Sequence, residues 1–265
     1  MSDIRSTLQR KKLFVLDMDG TVYLEKQLFD GSLEFLDTLQ AQGRNYLFFT
    51  NNSSKDGRFY LDKLAGMGFE TTGDHIMTSG DVTIEFLHAH RPGKRVYLVG
   101  THILAEQFLR EGIELTDTDP DIVIASFDME LTYEKLTDAC TFIRNGAEFI
   151  ATHPDKNCPL RNGFLPDCGA ICSFITTSTD VKPLYLGKPY PQTLEAIMRR
   201  TGAAPDEIIF VGDRLYTDIA IGYQNGITTV LVFSGETNPE DLEHSKVQPD
   251  YTVSSIKELE EHLRG

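Results

Sequence analysis

Two carboxylates stand one residue apart in Asp17-Met18-Asp19-Gly20-Thr21, and like charges so close need a reason to coexist. A divalent cation, a shared proton, or a division of labour between nucleophile and acid would each supply one. Later segments add a hydroxyl and amide at Thr50-Asn51, an ammonium at Lys188 and further carboxylates at Asp213 and Asp218. That set of groups suits phosphoryl transfer, where catalysis is mainly positioning and electrostatic stabilisation of spread negative charge. One Asp can attack phosphorus and form an aspartyl-phosphate. Another can protonate the leaving oxygen and later take a proton from water. Magnesium takes oxygen ligands and needs few carboxylates, while Lys and Thr supply donors to the remaining phosphoryl oxygens.

Taken singly, these residues have plainer explanations. A calcium-binding loop that opens Asp-x-Asp needs Gly sixth and Glu twelfth, whereas here Gly20 is fourth and Leu28 twelfth, so that reading fails. Thr50 and Asp213 could cap helices, Lys188 could be a solvated charge, and Asp218 could lie on a helix surface. None of these explains why an Asp pair, a Thr, a Lys and a second Asp pair follow apolar strands in this order.

The flanking segments say what must position these groups. Leu13-Phe14-Val15-Leu16 reads as a buried strand that delivers Asp17 and Asp19 at its C-terminal tip, where ligands of open α/β sheets collect. Tyr46-Leu47-Phe48-Phe49 delivers Thr50 and Asn51, and Ile208-Ile209-Phe210-Val211 delivers Gly212-Asp213. Helical patterns fall between Gly31 and Gly43, through Tyr60, Leu61 and Leu64, and over Pro191 to Thr201. Ile76 to Thr78 and Thr229 to Phe233 read as further strands, and Ser255-Ile256-Lys257-Glu258 as the capping box of a last helix. Alternating strands and helices predict an α/β fold with a mostly parallel sheet. The middle of the chain has its own strands at Val96 to Val99, Ile122 to Ala125 and Phe149 to Ala151, with a helix over Thr132 to Arg144. It is long enough for a core of its own, which divides the chain into 1–80 plus 184–265 and an inserted 81–183.

Composition narrows the partners. The 265 residues carry a net charge of −15, which disfavours nucleic acid and anionic membranes and requires local positive charge for any anionic substrate. No apolar run approaches the ~18 residues of a membrane helix. The N-terminus, Met1-Ser2-Asp3-Ile4-Arg5, has no apolar stretch before the first strand, so a cytoplasmic location is expected. Cys140, Cys158, Cys168 and Cys172 lack paired C-x-x-C spacing and are expected to be reduced thiols, not zinc ligands. A homodimer is compatible with this composition, and the sequence does not fix the oligomeric state.

Asp17-Met18-Asp19-Gly20-Thr21-Val22, Thr50-Asn51-Asn52, Gly187-Lys188-Pro189 and Gly212-Asp213-(x4)-Asp218 together resemble the four motifs of the haloacid dehalogenase-like hydrolase superfamily, in that family's order and spacing. Thr50-Asn51-Asn52-Ser53-Ser54 and Ala151-Thr152-His153-Pro154-Asp155 are similar to its NagD-type branch, which includes p-nitrophenylphosphatase-like enzymes. The resemblance implies a Rossmann-like core with an inserted α/β cap at 81–183. It implies a magnesium-dependent phosphatase acting on a small phosphorylated metabolite, with Asp17 as nucleophile and metal ligand. Asp19 would be general acid/base and give the metal its backbone carbonyl. Thr50 and the backbone of Asn51 would bind the phosphoryl group, with Lys188 neutralising it and orienting Asp17. Asp213 would be the second carboxylate ligand, and Asp218 would hold metal-bound water or Lys188. Substrates in this branch include sugar phosphates, nucleoside monophosphates and aryl phosphates, and the sequence picks none.

The cap is where such enzymes read the leaving group. His153, Asp155, Cys168 and Gly169 are the expected contacts, the last two in a tight turn Pro166-Asp167-Cys168-Gly169 ahead of a helix from Ala170. Two other functions share the chemistry. A phosphotransferase or mutase would use the same intermediate and exclude water. A non-catalytic phosphoacceptor such as a receiver domain also pairs Asp with Lys, but is about half this length and lacks the inserted block.

Overall fold

Apolar runs of four to six residues, too short for buried helices and rich in Val, Ile and Phe, become strands buried on both faces. The computed structural model describes residues 3–160 and 163–264. Met1 and Ser2, part of the N-terminal segment read above, lie outside them. Among the described residues, ten strands build two larger sheets: β1 (Leu13–Leu16), β2 (Asn45–Thr50), β3 (Ile76–Thr78), β4 (Val96–Val99), β5 (Ile122–Ala125), β6 (Glu148–Ala151), β7 (Leu184–Tyr185), β8 (Ile208–Gly212), β9 (Thr228–Val232) and β10 (Tyr251–Val253). Two small antiparallel hairpins pair Tyr23–Leu24 with Gln27–Leu28 and Asn157–Leu160 with Gly163–Pro166.

The first sheet runs β10-β9-β8-β1-β2-β3. β1 pairs in parallel with β8 and β2, matching Leu16 with Val211 on one side and with Phe48 on the other. The chain moves outward from β1 through β2 and β3, then returns to β8 on the other side. The boundary between β1 and β8 is therefore a topological switch point, whose carboxyl edge is the usual ligand site of an open α/β sheet. The second sheet, β7-β6-β5-β4, is parallel throughout. A mostly parallel α/β fold is what the strand and helix alternation predicts. No helix of the described residues is long and apolar enough to cross a membrane.

Two compact units emerge, one of Met1–Thr50, Arg58–Met77 and Ile197–Gly265, the other of Asn51–Gly57 and Thr78–Ala196. Residues 51–57 and 184–196 thus pack with the middle of the chain, outside the 81–183 range drawn from sequence. Each unit has its own apolar core. Phe14, Leu16, Phe35, Phe48, Leu64, Val211, Val230 and Leu259 belong to the first, and Val99, Val123, Ala139, Ile171 and Ile175 to the second.

Three local expectations change. Phe233 lies just beyond β9, which ends at Val232. The last helix is Ile256–Arg264, and Glu258 receives the amide and hydroxyl of Ser254, not Ser255, both at 2.6 Å. The expected turn at 166–169 is instead a strand end, a cap and the first turn of the helix Cys168–Thr179, because the Asp167 carboxylate accepts the Cys168 amide at 2.6 Å and starts the helix two residues early. Gly169 answers to close approach, since a Cβ there would lie 2.2 Å from the carbonyl oxygen of Pro154.

Candidate active site

Asp17 follows the last residue of β1, and its amide donates to the Val211 carbonyl of β8 at 2.9 Å. That bond aligns Asp17 with the Gly212-Asp213 tip of the next strand. One carboxylate oxygen from each of Asp17, Asp213 and Asp218 lies within 4.8 Å of the other two. Asp218 is buried in a π-type turn, Leu215–Ile219, and accepts the Arg214 amide at 3.0 Å. Asp213 is 2 % exposed and accepts the Glu236 amide through Oδ2 at 2.6 Å. Its Oδ1 is buried with no hydrogen-bond partner. Burial, then the charges of Asp17 and Asp218, hold the Asp213 pKa well above the ordinary carboxylate value. Three crowded carboxylates and an unsatisfied buried oxygen are the donor set of a hard divalent cation, so these residues fit a metal. Thr50, half-buried, ends the strand on the other side of β1.

Asp19 stands apart from that cluster. It forms an isolated bridge with Tyr23, and the Gly20 amide donates to the Tyr23 carbonyl at 2.8 Å. Its carboxylate is 46 % exposed and lies 3.6 Å from Lys63 Nζ. Burial of its surroundings raises its pKa, opposed by the charge of Lys63 and by the Glu25 amide. A raised pKa suits a group that must hold a proton for a leaving oxygen. The two carboxylates of Asp-x-Asp thus occupy different environments, one beside Asp213 and one beside Lys63.

In the second unit, Asn51 and Lys188 meet through the Asn51 carboxamide. Its Oδ1 accepts the Lys188 amide at 2.8 Å and its Nδ2 donates to the Lys188 carbonyl at 3.0 Å. The same Nδ2 reaches both carboxylate oxygens of Asp155 at 3.3 Å. This clip orients the Lys188 backbone. Gly187 permits it, because a Cβ there would lie 2.7 Å from Asn51 Oδ1 and 2.8 Å from the Thr152 carbonyl.

The four residues expected to contact a leaving group, His153, Asp155, Cys168 and Gly169, are all buried. His153 is fully enclosed, its Nε2 2.9 Å from Asp167 Oδ1 and its Nδ1 2.9 Å from Thr152 Oγ1 and 3.3 Å from Ser79 Oγ. Burial alone would lower its pKa, but Asp167, Cys168 and Asp155 outweigh it and raise the value to about 9. Cys168 and Cys172 are reduced, with sulfurs 3.9 Å apart. Burial disfavours the Cys168 thiolate, yet the Cys172 hydrogen bond and His153 draw its pKa down. The Gly169 amide donates to the Asp155 carbonyl at 2.7 Å, and the Asp155 carboxylate in turn accepts the Asn51 side-chain amide of the clip. Sequence reasoning missed Lys63, Ser79 and Gly235. Lys63 resembles any solvated helix lysine, and the other two matter only through residues far away in the chain.

Two family models match the chain, haloacid dehalogenase-like hydrolase over residues 14–114 and HAD-hydrolase-like over residues 185–259. An acid sugar phosphatase of Staphylococcus saprophyticus is 35% identical over 97% of this chain and 99% of its own length. The crystal structure of a 4-nitrophenylphosphatase from Thermotoga maritima superposes with a TM-score of 0.94 at 43% identity, covering 96% of this chain and 98% of that one. NagD from E. coli K-12 gives 0.87 at 33% identity, covering 94% and 97%. The chain belongs to the haloacid dehalogenase-like hydrolase family, in the branch of NagD and the p-nitrophenylphosphatases, and is an enzyme of the phosphatase class.

Proposed function

We propose that this enzyme hydrolyses a small phosphomonoester, such as a sugar phosphate, nucleoside monophosphate or aryl phosphate, with magnesium and through an aspartyl-phosphate. The observation that carries the reading is the cluster of Asp17, Asp213 and Asp218 at the switch point, with Asp213 Oδ1 unsatisfied. Magnesium would be held by the carboxylates of Asp17 and Asp213 and the backbone carbonyl of Asp19. When bound it supplies positive charge to the phosphoryl oxygens and keeps Asp17 ionised.

Asp17 attacks phosphorus with one carboxylate oxygen and the ester oxygen departs. Asp19 gives that oxygen its proton, then takes one from the water that hydrolyses the aspartyl-phosphate. Thr50 and the Asn51 backbone donate to the phosphoryl oxygens, and Lys188 neutralises their charge. Asp218 would hold metal-bound water or Lys188. His153, Asp155, Cys168 and Gly169 act in this reading by supporting the Asn51–Lys188 clip. The inserted 81–183 segment is the cap in this proposal, and it reads the leaving group.

Purified protein assayed on about a hundred phosphomonoesters, with and without magnesium, tests the reading. We expect phosphate release that EDTA abolishes and magnesium restores. No magnesium-dependent release on any ester would overturn it, and strong acceleration by an alcohol acceptor with little hydrolysis would favour a phosphotransferase.

A further inference from the structure

One cation of the first unit has no part in the roles above. Lys63 lies in the last turn of the helix Gly57–Ala65, whose neighbouring Tyr60 and Leu64 are buried in the core. Its Nζ is 3.6 Å from Asp19 Oδ2 and 4.0 Å from the centroid of the Tyr23 ring. The Lys63 side chain is 22 % exposed, well below a solvated lysine.

The geometry couples three groups. Tyr23 is fully buried, so the ring beneath the ammonium is a fixed platform. Tyr23 is also tied by its backbone to the segment that carries Asp19, through the Asp19 bridge and the Gly20 amide. The ammonium is thus fixed relative to the Asp19 backbone by core packing and a cation–π contact. Together with the Glu25 amide, it fixes in turn the rotation of a carboxylate that is nearly half exposed. A terminal carboxylate torsion is broad and roughly two-fold, so without an anchor an exposed Asp samples many orientations. A proton donor works only from a narrow range of them.

We propose that Lys63, seated on Tyr23, is a positioning residue that holds the Asp19 carboxyl in the orientation needed for proton transfer to the leaving oxygen. This rests on Asp19 being the general acid/base. It predicts a particular failure when Lys63 is lost. Chemistry that depends on protonating the leaving group suffers, and chemistry that does not depend on it suffers much less.

The test compares wild type, Lys63→Met, Lys63→Arg, Asp19→Asn and the double variant Asp19→Asn/Lys63→Met by kcat/KM on p-nitrophenyl, phenyl and alkyl phosphates. We expect Lys63→Met to lose about threefold on p-nitrophenyl phosphate but roughly 30-fold on the alkyl ester, part of the ~10²–10⁴-fold that general acid catalysis supplies. Lys63→Arg should recover most of the loss. In the double variant, Lys63→Met should add less than about twofold to Asp19→Asn, because coupled groups are not additive. If Asp19→Asn is steeply leaving-group dependent while Lys63→Met loses equally on every ester, or if the losses multiply, the Lys63 proposal is overturned. An Asp19→Asn variant that loses equally on all esters would instead sink the general-acid reading, and this proposal with it. Should Lys63→Met lack a cooperative unfolding transition, Lys63→Gln and Lys63→Arg carry the same comparison.

Discussion

Gly235 and Asp213 approach so closely that no side chain fits at position 235: a Cβ there would lie 2.0 Å from Asp213 Oδ2 and 2.5 Å from its Cγ. Gly20 is equally constrained, with φ at +92° and a would-be Cβ 2.4 Å from the same oxygen. The loop after β9 also gives Asp213 the Glu236 amide, and the Thr237 amide donates to the Asp213 carbonyl at 3.2 Å. Backbone therefore closes around the Asp213 carboxylate on the side of Gly20 and Gly235.

Gly235→Ala should consequently disable the enzyme without touching any reacting group. We expect a stability loss of about 1–3 kcal/mol from overpacking and a loss of at least about 100-fold in kcat/KM as Asp213 is displaced. Thermal unfolding and assay with p-nitrophenyl phosphate check both. Activity within threefold of wild type would show that Asp213 has room the structure does not give it.

Asp17→Asn should abolish turnover and leave the fold intact, since the change is nearly isosteric and removes the nucleophile. Circular dichroism and unfolding should match wild type. Substantial activity, with mass spectrometry ruling out deamidation back to Asp, would remove Asp17 from that role.

Magnesium should stabilise the folded protein by relieving repulsion among Asp17, Asp213 and Asp218. At about a hundred times its dissociation constant the gain is about 2.7 kcal/mol, read as a saturable rise in Tm. In Asp213→Asn the metal-free protein should be no less stable than wild type, because one buried charge is gone, and the magnesium response should be largely lost. An unchanged magnesium response in that variant would mean the ion sits elsewhere.

The His153–Asp167 pair gives stability a pH dependence. Its folded pKa of about 9 lies above the ordinary 6.5, so the pair's contribution is full below about 6.5 and is lost as pH rises through about 9. Breaking a buried pair typically costs about 3–5 kcal/mol. Denaturant unfolding of wild type and His153→Gln should therefore differ by that order near pH 6, with the gap narrowing between about pH 6.5 and 9 and levelling off above. A gap independent of pH would assign the loss to packing alone.

Much of this was legible in the sequence. The apolar runs at Leu13–Leu16 and Ile208–Val211 and the carboxylates that follow them put Asp17 and Asp213 at strand tips, since a parallel strand buried on both faces reads as a continuous apolar segment. The motif order and the inserted block follow from local spacing in the same way, and they identify the family. Tertiary structure decided what depends on residues distant in the chain. It enclosed His153 among Ser79, Thr152 and Asp167, where sequence had suggested a leaving-group contact. It turned Asn51 into a clip for Lys188, 137 positions away. It also set Lys63 on Tyr23 beside Asp19. A local pattern fixes which residues share a strand or a helix face. Distances between side chains are fixed by packing of the whole core, and hydrogen bonding, burial and charge at a site are functions of those distances.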